Sequence, residues 1–107
     1  MRLNEASWNF FLDEFKNDLI IIKYFFSLEE NKVLEFVIIY ASVIDEKLEE
    51  IVKYDVSQKE QLHVHYYKYK QFEVKKFLNN EVSFQTMWEI VEYLKENWRI
   101  LKLKFLD

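Results

Sequence analysis

Not one of the 107 residues is glycine or proline, where average usage would place roughly a dozen between them. Glycine serves wherever backbone must turn through positive φ, and proline presets many turns. A chain without either is poorly suited to a loop-rich architecture and well suited to long helices joined by short polar corners. The same absence removes the P-loop, the dinucleotide fingerprint, the glycine-flanked serine elbow and the standard EF-hand loop.

The apolar residues recur at helical spacing along much of the chain. Trp8, Phe11, Leu12, Phe15, Leu19, Ile22 and Phe26 succeed one another at intervals of three and four, an amphipathic stripe. From Leu19 to Phe26 the segment is apolar nearly all round, which implies burial on more than one face. Ser27-Leu28-Glu29-Glu30 has capping-box spacing. It predicts a second helix with the stripe Val33, Val37, Tyr40, Ile44, Leu48 and Ile51. Ser57-Gln58-Lys59-Glu60 repeats that spacing and predicts a third helix. There the periodicity is ambiguous, because Leu62, Val64 and Tyr66 alternate with His63 and His65 in a strand period. Asn79-Asn80 marks a corner, and Ser83 is placed to cap a fourth helix. Phe84, Met87, Trp88, Val91, Leu94, Trp98, Leu101 and Phe105 form the cleanest helical stripe in the chain.

Four amphipathic segments with short corners predict an all-α fold, an antiparallel four-helix bundle forming one helical domain over residues 1–107. The alternative is an α+β fold with a strand or hairpin within residues 62–84.

Half the residues are hydrophobic and 19% are aromatic, which excludes intrinsic disorder. The longest apolar stretch, residues 36–44, falls well short of the roughly twenty residues a membrane-spanning helix needs. No signal peptide is visible and no cysteine is present to form a disulfide or thiolate metal site. The expectation is a soluble, cytoplasmic protein. Phe, Tyr, Met, Ile, Asn and Lys account for 48 residues, and Gly, Ala, Arg and Pro for four. That imbalance points to an AT-rich gene, of the kind carried by low-GC microbes, phages and mobile elements.

Charge is unevenly distributed. Residues 1–60 hold 13 acids against 7 bases, and residues 61–107 hold 8 bases against 6 acids, for a net −4. Asp45, Glu46, Glu49 and Glu50 form two i,i+4 carboxylate pairs on the predicted second helix, which cost a few tenths of a kcal/mol each as like charges. They are the first candidates for contact with a basic partner, with Asp13, Glu14 and Asp18 second. His63 and His65 project from one face of a strand but lie far apart on a helix, and no ligand spacing surrounds them. The expectation is no metal, no cofactor and no catalytic residue, hence not an enzyme. The segment His65 to Lys76 mixes tyrosines and lysines in the manner of single-strand nucleic-acid grips, but an acidic chain with two arginines argues against that use.

These features together predict a small acidic protein-binding module: an immunity protein, antitoxin or phage-type inhibitor covering a basic nucleic-acid-processing target such as a nuclease toxin or defence enzyme. Nuclease clefts are positive because they bind phosphates, and an acidic surface enters them with electrostatic steering. The alternatives are a self-associating structural module, with a homo-oligomer formed through surplus aromatics, and a single-stranded nucleic-acid binder acting through residues 65–76.

Overall fold

The computed structural model describes residues 3–70 and 73–107. Six strands precede one helix: β1 (Asn4–Phe11), β2 (Asp18–Ser27), β3 (Lys32–Ile44), β4 (Lys47–Val56), β5 (His63–Tyr66), β6 (Val74–Phe77) and α1 (Phe84–Leu106). Each strand pairs antiparallel with the next in sequence, giving a single meander in the order β1-β2-β3-β4-β5-β6.

The four-helix bundle is therefore not what this chain forms. Three of the four expected helices are sheet, and the chain is not one helical domain. The expectation failed at continuous apolar runs, which satisfy a period of two and a period of 3.6 equally well. Leu19-Ile20-Ile21-Ile22 and Val37-Ile38-Ile39-Tyr40 are rich in β-branched and aromatic side chains that suit a pleated sheet. In the folded chain Ile20, Ile22, Phe36, Ile38 and Tyr40 are buried, while Ile21, Val37 and Ile39 alternate onto the other face and stay half-exposed. The stripe Val33, Val37, Tyr40 is thereby split across both faces of β3. His63–Tyr66 does carry the strand signalled by the alternation and pairs antiparallel with Val74–Phe77, within the range of the α+β alternative, but Asn79-Asn80 turns no hairpin. Residues 82–84 lead into the helix instead.

The tight turns are made without glycine. Lys16, Asn31, Asp45, Glu46 and Lys70 all take positive φ. Asp45 (φ 52) and Glu46 (φ 68) are the two residues joining β3 to β4, the pattern of a type I′ hairpin, which requires positive φ at both central positions.

The helix is the segment with the cleanest stripe. Ser83, extended at φ −154, accepts a hydrogen bond from the Thr86 N–H at 3.0 Å and so caps it. Met87, Val91, Leu94, Trp98, Leu101 and Phe105 are buried against the sheet. Each such side chain withdrawn from water contributes about 1.5–3 kcal/mol. The direction of α1 is set by its contacts. Phe84 at its start lies against Tyr24 and Phe26 at the end of β2, with ring centroids 5.9 and 6.4 Å away. Near its other end Lys102 reaches Asp18 at the start of β2, at 3.3 Å. Between them Tyr40 and Trp98 meet edge-on at 6.2 Å. One face of the sheet is thus covered. The other carries Leu19, Ile21, Val37 and Ile39 with no second layer over it among the described residues.

Candidate protein-docking site

In a meander, alternate connections fall at the same end of the sheet. The β1–β2 loop (12–17), the β3–β4 turn (45–46) and the β5–β6 connection (67–73) share one end, and the C-terminus of α1 arrives there too. Backbone hydrogen bonds join them: the Val43 N–H donates to the Asn17 carbonyl at 2.8 Å and the Tyr69 N–H to the Phe105 carbonyl at 3.0 Å. The two groups of acids singled out from the sequence, 27 or more residues apart along the chain, therefore meet in space. Residues 12–18 and 44–50 together hold seven carboxylates against two lysines.

Their individual positions differ from what a helix face would give. Asp45 and Glu46 form the exposed hairpin tip, while Glu49 and Glu50 alternate along β4, half-buried and exposed respectively. They line no common helical face, so the expected i,i+4 repulsion does not arise. Glu14 is exposed. Asp13 is half-buried, and its Oδ1 accepts from the N–H groups of Asn17 and Asp18 at 3.0 and 2.9 Å, holding the β1–β2 loop in shape. Asp18 is buried. Its Oδ1 accepts from the Tyr40 hydroxyl at 2.7 Å and from Lys102 at 3.3 Å, so it ties the sheet to α1 and has no surface to offer a partner. Tyr40 keeps its phenolic proton well beyond the ordinary tyrosine range, through burial first and the bond to Asp18 second.

Large apolar side chains lie at the same end, and helical periodicity assigns several of them to the core. Phe11 is 47% exposed, Phe15 75%, Val43 38% and Leu48 57%. Register places Val43 opposite Leu48, and Phe11 opposite Leu19, which itself sits opposite Ala41. These positions share the uncovered face of the sheet. The signal that locates them is parity: once β1 and β3 are strands, Phe11 and Val43 must face away from Ile20 and Tyr40.

Beside the hairpin lies a cleft of about 830 Å³ lined by Asp45, Leu48, Glu49, Glu50, Tyr67, Lys68, Tyr69, Lys70 and Phe105 among others. It brings three of the acidic quartet, Asp45, Glu49 and Glu50, up to the Tyr/Lys segment. The Tyr69 hydroxyl donates to Asp45, which raises the tyrosine's pKa. Burial, with the Glu50 charge second, pushes Tyr67 up to about 12. Three of the four lysines of that segment have other partners. Lys68 donates to the Lys104 carbonyl at 3.1 Å, Lys70 stands over the Tyr69 ring at 5.1 Å, and Lys75 pairs with Glu60 at 3.2 Å. Gln71 and Phe72 lie outside the described residues.

His63 and His65 do share a strand face, with rings 4.8 Å apart. His63 is buried. Its Nδ1 donates to the Gln61 carbonyl at 2.8 Å, and its Nε2 is 3.1 Å from Glu60. Lys75, with help from both histidines, holds the Glu60 carboxyl below its ordinary range. His65 bonds Glu73. The cluster stitches β4, β5 and β6 together. Among the described residues no group of three or more His, Asp and Glu is arranged to hold a metal ion. Nor is any described helix long and apolar enough to cross a membrane.

The molecule is thus a meander sheet backed by one helix, with an acid-rimmed apolar end. The chain belongs to the family described as Domain of unknown function (DUF7718), whose model matches residues 1–107. No curated protein and no solved structure matches it.

Proposed function

We propose that this chain is a small acidic binding module that covers a basic, nucleic-acid-processing protein in the manner of an immunity protein, antitoxin or phage-type inhibitor. One observation carries the reading: exposed Phe11, Phe15, Val43 and Leu48 stand at the sheet end where Glu14, Asp45, Glu46 and Glu50 are exposed. An apolar centre with a charged rim is the anatomy of a protein interface, in which desolvated anchors supply affinity and the rim supplies steering and selectivity. Phe11, Phe15 and Leu48 are the anchors, and the four carboxylates select a positively charged target.

The test is affinity capture with the wild-type chain and two variants, Glu14→Lys/Glu46→Lys/Glu50→Lys and Phe15→Ala. A basic partner held by wild type, lost by both variants and released near about 0.5 M salt, where screening is nearly complete, supports the reading. Capture indifferent to charge reversal and to salt refutes it.

A further inference from the structure

The two edges of the sheet are built differently. At one end of the order, β6 has four residues and bears Lys75 and Lys76. A short, lysine-bearing edge is how sheets discourage further pairing. At the other end, β1 has eight residues, Asn4-Glu5-Ala6-Ser7-Trp8-Asn9-Phe10-Phe11, with no lysine and no proline. Its register against β2 runs unbroken from Asn4↔Phe26 to Phe11↔Leu19, whereas the β2–β3 and β3–β4 pairs are interrupted by bulges. Among the described residues nothing twists this edge away or blocks it, and its outer row of backbone N–H and C=O groups is a template for another strand. Its one charge, Glu5, is paired with Lys23 at 3.2 Å.

We propose that this edge is filled by β1 of a second copy of the chain, joining two six-stranded sheets into one antiparallel sheet of twelve. The choice of a second copy rests on the self-complementarity of β1. A two-fold axis normal to the sheet keeps both helices on the same side and sets each residue opposite one of its own face. Even-numbered residues of β1 face α1, as the Trp8–Trp88 ring contact at 4.9 Å shows, and odd-numbered residues lie on the uncovered face. With Ser7 on the axis, Ser7 meets Ser7, Glu5 meets Asn9, Ala6 meets Trp8 and Asn4 meets Phe10. No like charges stand opposite each other, and each indole faces a methyl group. Centring on Trp8 instead sets indole against indole and the Glu5 carboxylate against Phe11. The Ser7-centred register is the one the side chains fit. Of the apolar anchors at the acid-rimmed end only Phe11 belongs to β1; it lies beyond the Asn4–Phe10 register, and the crosslinking test does not depend on that site.

The chain has no cysteine, so a single introduced thiol reports on this geometry. A disulfide forms only where two Cα atoms come within about 7 Å. Ser7→Cys places its two thiols at the axis. Asn9→Cys puts them four residues out of register, and Lys76→Cys puts them on the far edge. Under mild oxidation Ser7→Cys is expected to form a covalent dimer at least about tenfold faster than either control. Sedimentation of the wild type at about 100 μM is expected to show a dimer. Ser7→Lys, which brings two ammonium groups together at the axis, is expected to sediment as a monomer with an unchanged far-UV spectrum. Equal crosslinking at all three positions, or a wild-type monomer at that concentration, overturns the proposal. The monomer result would leave the edge to an extended segment of another protein.

Discussion

Tyr40→Phe removes one oxygen atom from the centre of the molecule, and the cost can be worked from its surroundings. Tyr40 has no exposed surface, and its hydroxyl donates at 2.7 Å to Asp18, which is also buried and otherwise held by Lys102 at 3.3 Å. The substitution keeps the ring, and with it the edge-on contact to Trp98, so no cavity forms. What is lost is a hydrogen bond to a charged acceptor, worth about 1.5–3 kcal/mol. Lys102 remains, but its side chain is 27% exposed and solvent screens its charge. It therefore offsets little of the loss. At about 4 °C per kcal/mol for a domain of this size, the expected fall in Tm is about 6–12 °C. The assay is urea unfolding followed by circular dichroism, with Asp18→Asn and the double variant completing a mutant cycle. The coupling between the two residues should account for most of the single-variant loss. A Tyr40→Phe protein within about 0.5 kcal/mol of wild type, the ordinary range for surface substitutions, would refute the claim that this buried bond between β2 and β3 helps hold the fold together.

Two further outcomes are expected. Stability should decline as pH rises from about 10 toward 12. Unfolded tyrosine releases its proton near 10.0, whereas burial and Glu50 keep Tyr67 protonated up to about 12 and burial holds Tyr40 and Tyr54 higher still. Raised folded-state values contribute stability that is complete below pH 10 and is lost above it. Absorbance at 295 nm should show at least three of the seven tyrosines, Tyr40, Tyr54 and Tyr67, ionising only together with loss of the far-UV signal, and simple titration of every tyrosine near pH 10 with the fold intact would contradict this. In the β3–β4 turn, the double substitution Asp45→Asn/Glu46→Gly should stabilise the chain by about 0.5–1 kcal/mol, because Asn-Gly suits positive φ at both positions. An unchanged or lowered urea midpoint would show that Asp45 contributes more through Tyr69 than it costs in backbone strain.

Some of the architecture was legible in the residues. The stripe from Phe84 to Phe105 is a helix because no run of β-branched side chains competes with its 3.6-residue period and Ser83 caps it. The clustering of acids at 13–18 and 45–50 was also legible, though not that the two clusters meet. The absence of glycine misled, because a tight turn needs positive φ and not glycine itself. Asn31, Asp45, Glu46, Lys16 and Lys70 occupy the left-handed region instead, at a backbone cost of about 1–2 kcal/mol each for Glu46, Lys16 and Lys70 and less for Asn31 and Asp45, which the sheet must offset.

The three serine signals separate what is local from what is not. Ser27, Ser57 and Ser83 each accept a hydrogen bond from the N–H three residues on, at 3.2, 3.1 and 3.0 Å. The sequence by itself determined all three of these bonds, because a serine oxygen and an N–H three residues away need nothing but each other. It did not determine the structures they begin, which are two turns between strands and one helix. A helix closes its hydrogen bonds within four residues, so its presence after Ser83 is written nearby. A strand takes its partners from elsewhere: Asp18 pairs with Ser42, and Tyr40 with Val52. Only the assembled sheet decided that Ile20 and Tyr40 face α1, that Phe11 and Leu48 face away from it, and that the two acidic loops stand together.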